Sequence, residues 1–164
     1  MTIKEKKGKF KGLKIAWIGD GNNVCNSMIY GCALTGTKLS IATPKGFEPD
    51  KSVLKESAKS VEIELSTDPV KAIKNADVVV TDTYTSIHNN DLKRIKKFLP
   101  KYQVNDSLMK HANSNAIFMH CLPAHRGEEV SSGVLEGPQS RVWPQAENRM
   151  HAARGALVWL MEQR

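Results

Sequence analysis

The chain has 164 residues, 40% hydrophobic and 25% charged, the size and composition of one globular domain that can bury a core without disulfides or metal. No apolar run approaches the roughly 20 residues of a membrane helix, and residues 1–14 lack the apolar core and cleavage site of a secretion signal, so a cytoplasmic location is expected. Cys25, Cys32 and Cys121 are an odd set with no CxxC pair, which argues against a disulfide framework and a zinc site; of the formal charge of +7, the six lysines and one glutamate of residues 1–14 supply +5, a solvated lead-in and not a nucleic-acid-binding face.

Leu13–Ile18 is a short apolar run ending at Gly19-Asp20-Gly21, the pattern of a buried strand closed by a tight turn. Val24, Met28 and Cys32, with Ile29 and Ala33, recur at intervals of three and four and predict a helix with one stripe on a sheet, ended by Gly36. Lys38–Ala42 reads as a second strand closed by Thr43-Pro44-Lys45-Gly46, residues 50–60 as a helix, and Glu62–Leu65 as a third strand. Asp68 before Pro69 predicts a helix start, Asp as cap and Pro at the first helical position, leading into the β-branched strand Asp77–Thr81. After a polar loop over residues 83–90, Leu92, Ile95, Phe98 and Leu99 make Asp91–Leu99 an amphipathic helix. Ala116–His120 is the fifth strand. A last helix is predicted over Ala146–Glu162, with Met150, Ala153, Leu157 and Leu160 on its apolar side.

This alternation predicts an α/β fold: a doubly wound parallel sheet with helices on both faces, Rossmann-like, in a single domain over residues 13–164 after a basic lead-in at 1–12. Ligands of such sheets sit outside the carboxyl ends of the strands. That directs attention to Gly19–Asn23, Thr43, Ser66, Asp82–Ser86 and His120–Leu122.

The first turn begins like a dinucleotide-binding loop, but Val24 stands at the third glycine position and the second strand ends in Thr43 and Pro44, with no acid for a ribose, so no cofactor is expected. Asn22 and Asn23 offer amides, with free backbone N–H groups at the helix start, to a ligand carboxylate; the alternative is a turn that serves only the chain. Asp82 closes a buried strand, where an unpaired carboxylate is costly. A ligand ammonium would satisfy it, with Ser86 as a further acceptor, and so would capping of the next loop. Cys121 places a thiol at the ligand-binding edge, although a single cysteine is more often core; Cys25 and Cys32, seven apart on one helix face, are read as core. The five histidines show no metal-ligand pairing, so no metal site is expected. Arg149 either meets an anion or pairs at the surface with Glu147 or Glu128.

Together, Gly19-Asp20-Gly21-Asn22-Asn23, Thr43-Pro44-Lys45-Gly46, Asp82 with Ser86, His120-Cys121-Leu122-Pro123 and Glu147-Asn148-Arg149 resemble, in order and spacing, the second domain of the ornithine carbamoyltransferases. The resemblance implies transfer of a carbamoyl group from carbamoyl phosphate to the δ-amine of L-ornithine, giving L-citrulline and phosphate, as in arginine biosynthesis. It implies that Asn23 and the backbone of Ile87 bind the ornithine carboxylate, and that Asp82 and Ser86 hold the α-ammonium. Cys121 with the Leu122 carbonyl would orient the δ-amine, and His120 and Arg149 would reach the carbamoyl oxygen. Aspartate-specific relatives look like His-Pro-Leu-Pro where this chain has His120-Cys121-Leu122-Pro123, so Cys121 points to ornithine.

Two departures stand out. Where the family has Ser-Met-Gly, Ser86 is followed by Ile87, His88, Asn89 and Asn90, and the lost glycine removes access to positive φ. A related amine such as putrescine is therefore an alternative substrate, against which the retained Asp82 and Ser86 argue. The Ser-Thr-Arg-Thr phosphate motif of the family's first domain is absent from these 164 residues. The expectation is that carbamoyl phosphate binds only with that other domain, that Lys4 to Lys14 is a remnant of the interdomain connection, and that this chain alone has no appreciable turnover. A non-enzymatic ornithine-binding or regulatory module is the rival reading. The family's catalytic unit is a trimer whose contacts come largely from the first domain, which leaves a monomer open for this chain.

Overall fold

Five strands, β1 (Lys14–Ile18), β2 (Lys38–Ala42), β3 (Ile63–Ser66), β4 (Val78–Thr81) and β5 (Ile117–His120), form one sheet in the computed structural model, which describes residues 1–85 and 91–163. Every pairing is parallel and the order is β3-β2-β1-β4-β5, so the winding reverses between β1 and β4. The register Ile15↔Leu39 and Ile15↔Val78 brings the carboxyl ends of β1 and β4 side by side. A crevice at that reversal is where doubly wound sheets bind ligands.

Alternation along the strands divides the core in two. Ile15, Trp17, Ile41 and Val80 pack under α2 (Asn23–Thr35) and α3 (Lys51–Ser57), together with Ile3 of α1 (Thr2–Lys7). Ala16, Ile18, Val79 and Phe118 pack under α4 (Pro69–Ile73), α5 (Leu92–Phe98), α6 (Asp106–Met109), α7 (Ser132–Leu135) and the start of α8 (Val142–Glu162). Trp17 is fully buried and its ring N–H donates to the Asp20 carbonyl at 2.9 Å. Removing roughly 200 Å² of indole from water stabilises the fold by about 5 kcal/mol and pins the turn after β1.

The helix boundaries follow from side-chain caps. Asn22 caps α2, Asp68 caps α4 with Pro69 at its first position, and Asp91 caps α5. Gly36 ends α2 at φ 66, a left-handed position that suits glycine. The one-turn helices α6 and α7 carry no periodic pattern to read; their only local signals are the caps Asn105 and Ser131.

Two expectations are corrected. The lead-in is not simply solvated: Thr2 and Ile3 are buried, and Asn148 of α8 donates to Thr2 Oγ1 at 2.9 Å and Glu5 Oε2 at 2.8 Å, while Lys4, Lys6, Lys9 and Lys11 stay exposed. Charge dominates the composition there, and the buried pair Thr2 and Ile3 is too short to form a pattern. The apolar side assigned to the last helix is also not core, since Met150, Ala153, Leu157 and Leu160 are exposed and only Val142 and Asn148 of α8 are buried. A helix of 21 residues is about 31 Å long, whereas four- and five-residue strands extend roughly 13–17 Å, so the sheet is too short to cover it. Among the described residues no helix is long and apolar enough to cross a membrane.

Candidate functional site

The turn after β1 is tied in place from two sides. Gly19 N–H donates to the Ala42 carbonyl at 2.9 Å and Gly21 N–H to the Phe47 carbonyl at 2.8 Å. At Gly21 a β-carbon would stand 2.3 Å from the backbone nitrogen of Pro49, so only glycine lets segment 47–49 pass this closely. Between these glycines Asp20 is buried and ion-paired with Arg94 of α5, whose guanidinium also lies 4.7 Å above the Phe47 ring. Burial pushes the Asp20 carboxyl above its ordinary range, and Arg94 pulls it partly back.

Asn22 has two functions. Its Oδ1 accepts from the N–H groups of Val24 and Cys25 at 3.0 and 3.1 Å, capping α2, and its Nδ2 donates to Asp82 Oδ2 at 2.8 Å. The amide of Asn22 is therefore already engaged, and of the pair considered for a ligand carboxylate only Asn23, exposed on the cleft rim, is unengaged by these bonds.

Asp82, 8% exposed at the end of β4, receives a second bond from the Cys121 thiol, Sγ to Oδ1 at 3.2 Å. Among the described residues no cation pairs with it. Burial, then the Asp82 charge and hydrogen bond, push the Cys121 thiol up to about 12 despite the opposing Arg149 charge, so it stays protonated at neutral pH. The thiol thus donates to the carboxylate between the ends of β4 and β5, while the Asn22 bond to Asp82 spans the switch point between β1 and β4. A cleft of about 470 Å³ opens over Asp82, lined by Asp20, Asn22, Asn23, Asp82, Thr85 and Arg94 among others.

The segment Cys121-Leu122-Pro123 leaves the sheet in an unusual conformation. Leu122 has φ 58, a left-handed value that branched side chains rarely adopt, and a cis peptide joins it to Pro123. Leu122 N–H donates to His120 Nδ1 at 2.9 Å, which leaves the proton on Nε2, and Nε2 lies 3.1 Å from Glu129 Oε1. His120 is 0% exposed, so both ring nitrogens serve the protein and the ring stands behind the loop, not at the cleft. From α8, Gln145 accepts the His120 N–H at 3.0 Å and Arg149 Nη1 donates to the Cys121 carbonyl at 3.3 Å.

The structure thus gathers Asn23, Asp82, Cys121, Leu122 and Arg149 around one sheet edge, with His120 supporting them from beneath. Ser86 and Ile87 lie outside the described residues. Asp82, His120 and Cys121 also offer donor atoms within 4.8 Å of one another, but they satisfy each other or the backbone and the thiol is protonated, so the set does not present a metal site. Sequence reasoning missed Arg94 and Glu129. Neither has a local signal, since Arg94 meets Asp20 across 74 residues and Glu129 meets His120 from within an irregular loop.

Fold and site together define a doubly wound α/β domain whose switch-point cleft sets the buried Asp82 carboxylate beside the exposed Asn23. The chain belongs to the aspartate/ornithine carbamoyltransferase family, whose Asp/Orn binding domain model matches residues 11–160. It is 57% identical over 160 residues to the ornithine carbamoyltransferase of Cenarchaeum symbiosum, covering 98% of this chain and 53% of that protein, and 47% identical to that of Pyrococcus horikoshii, covering 98% and 53%. Among solved structures, the ornithine carbamoyltransferase of Pyrococcus furiosus matches with a TM-score of 0.90 at 48% identity, over 95% of this chain and 52% of that one. That from Thermus thermophilus matches with a TM-score of 0.87 at 43% identity, over 97% and 52%. The chain spans about half the length of the curated relatives it matches.

Proposed function

We propose that residues 13–164 bind L-ornithine as the amino-acid-binding half of an ornithine carbamoyltransferase, and that turnover requires a carbamoyl-phosphate-binding unit in addition. The observation that carries the proposal is Asp82: a buried carboxylate at the switch point with two hydrogen-bond donors and, among the described residues, no cation. An uncompensated buried charge is costly, and a ligand ammonium supplies the missing partner. Asn23, at the positive end of the 13-residue helix α2, is placed for the ligand carboxylate.

In this reading Asp82 and Ser86 hold the α-ammonium, and the backbone of Ile87 assists Asn23. Cys121 and the Leu122 carbonyl accept and orient the δ-amine. The δ-ammonium first loses a proton to solvent; its lone pair then attacks the carbamoyl carbon, the bond from that carbon to the phosphate oxygen breaks, and the attacking nitrogen gives its second proton to the departing phosphate. Arg149 stabilises charge on the carbamoyl oxygen. His120 acts through the loop, holding Leu122 in the left-handed conformation that aims its carbonyl. A carbamoyl phosphate molecule needs a positioned partner site to react at a useful rate, and the Ser-Thr-Arg-Thr motif is not in these 164 residues, so the chain by itself is expected to bind and not to turn over.

Titration of the isotope-labelled chain with L-ornithine, putrescine and L-aspartate tests the assignment through backbone amide shifts. Shifts at Asn23, Asp82 and Cys121 with ornithine alone support it. Equal response to putrescine would move the substrate class to diamines, and no response to any of the three would remove the assignment of these residues.

A further inference from the structure

We propose that His125, Glu128 and Glu129, in the loop that follows β5, form a site for a divalent cation of the zinc or manganese class. The loop is a stitched turn: Glu128 N–H donates to the His125 carbonyl at 3.0 Å, Gly127 N–H to the Val130 carbonyl at 2.9 Å, and Gln103 Nε2 to the carbonyls of Gly127 and Glu128 at 2.8 and 3.1 Å. It presents three side chains whose donor atoms lie within 4.8 Å of one another. Each carries a buried atom without a hydrogen-bond partner: His125 Nδ1, Glu128 Oε2 and Glu129 Oε2.

Glu129 is the deepest, its side chain 0% exposed. Its Oε1 is occupied by the His125 N–H at 2.7 Å and the His120 ring at 3.1 Å, which leaves Oε2 facing the His125 ring at 3.9 Å. Among the described residues neither Glu128 nor Glu129 pairs with a lysine or arginine, although the chain carries a net charge of +7, and the adjacent Arg126 is paired with Glu136. Two neighbouring carboxylates, one fully buried, with an imidazole nitrogen within 4.8 Å of both, are a costly set without a cation. One imidazole and two carboxylates are ligands that zinc and manganese accept.

Between the imidazole and the buried carboxylate the geometry needs little adjustment. Ligands on a tetrahedral ion at about 2.1 Å stand about 3.4 Å apart, so His125 Nδ1 and Glu129 Oε2 close by about 0.5 Å. The His125 side chain is 41% exposed and leaves an open side for entry and a water ligand. Glu129 also holds His120, so the ion would brace the Cys121-Leu122-Pro123 segment from behind.

Zinc titration of the full chain by calorimetry, with Co²⁺ absorption as the spectroscopic probe, tests the site. The expected result is one ion per chain, Co²⁺ visible bands without a thiolate charge-transfer band, and a shifted His125 ring nitrogen resonance. Glu128→Gln and His125→Ala should each weaken binding more than about a hundredfold, beyond the ten- to hundredfold cost of losing an outer partner. Cys121→Ser should leave it unchanged. No binding by the folded wild-type chain overturns the proposal, as does undiminished affinity in both variants. Loss in Cys121→Ser together with a thiolate band would place the ion at Cys121 instead. Should either loop variant fail to fold, the wild-type His125 resonance and Co²⁺ spectrum still decide. Ornithine is absent from every arm, so this outcome is independent of the substrate assignment.

Discussion

Replacing Asn22 separates two contributions made by one side chain. Its Oδ1 caps α2, and its Nδ2 fixes Asp82 with a 2.8 Å bond. Asn22→Ser keeps a capping oxygen and loses the bond to Asp82, at a cost of about 1.5 kcal/mol, the low end for a charged acceptor because the cleft admits water. Asn22→Ala loses the cap as well, adding about 1 kcal/mol for a total of about 2.5 kcal/mol. Asn22→Asp keeps the cap but sets a third carboxylate beside Asp82 and Asp20, so its deficit should be larger at pH 7, where the added carboxylate is ionised, than at pH 4. Urea unfolding at pH 7 and pH 4 measures all three, the midpoint shifts converting through a shared m-value. An alanine variant no less stable than the serine variant would refute the capping argument. A serine variant within about 0.5 kcal/mol of wild type would refute the claim that Asp82 depends on Asn22.

Gly21→Ala forces a β-carbon onto the backbone of residues 47–49, and a thermal melt should show a loss of about 3 kcal/mol, roughly 10 °C. Alkylation of Cys121 by iodoacetamide at pH 8 should be far slower than that of a free thiol and should accelerate in Asp82→Asn, which removes the negative charge that, after burial, holds the proton on sulfur. Because folding raises the thiol pKa values of Cys121 and Cys32 from 9.0 to about 12, the folded chain retains protons that the unfolded chain releases. Stability should therefore fall as pH rises from about 9 towards 12, and Cys121→Ser should reduce that fall; stability that increases with pH there would contradict it. Leu157→Lys with Leu160→Lys should change unfolding stability by no more than about 0.5 kcal/mol, since both residues are exposed, at 62% and 57%.

The sequence alone determined the five strands, their parallel winding and the starts of α2, α3, α4 and α5. Those features rest on signals carried within a few residues: β-branched runs such as Val78–Val80, the Asp68-Pro69 start and the Gly36 stop. It also pointed to the sheet edge that carries the candidate site, because strand ends in a doubly wound fold are predictable from order alone. Tertiary structure decided which side chains meet there. Asn22 was legible as a helix start but not as the partner of Asp82, 60 residues away, and His120 was legible as a site residue but not as one whose ring nitrogens both serve the loop. The apolar periodicity of α8 predicted a buried face, yet periodicity records only that one side of a helix is apolar; whether this chain covers that side depends on the length of the sheet beneath it. Local pattern follows from neighbours in sequence, and burial, pairing and proton position follow from neighbours in space.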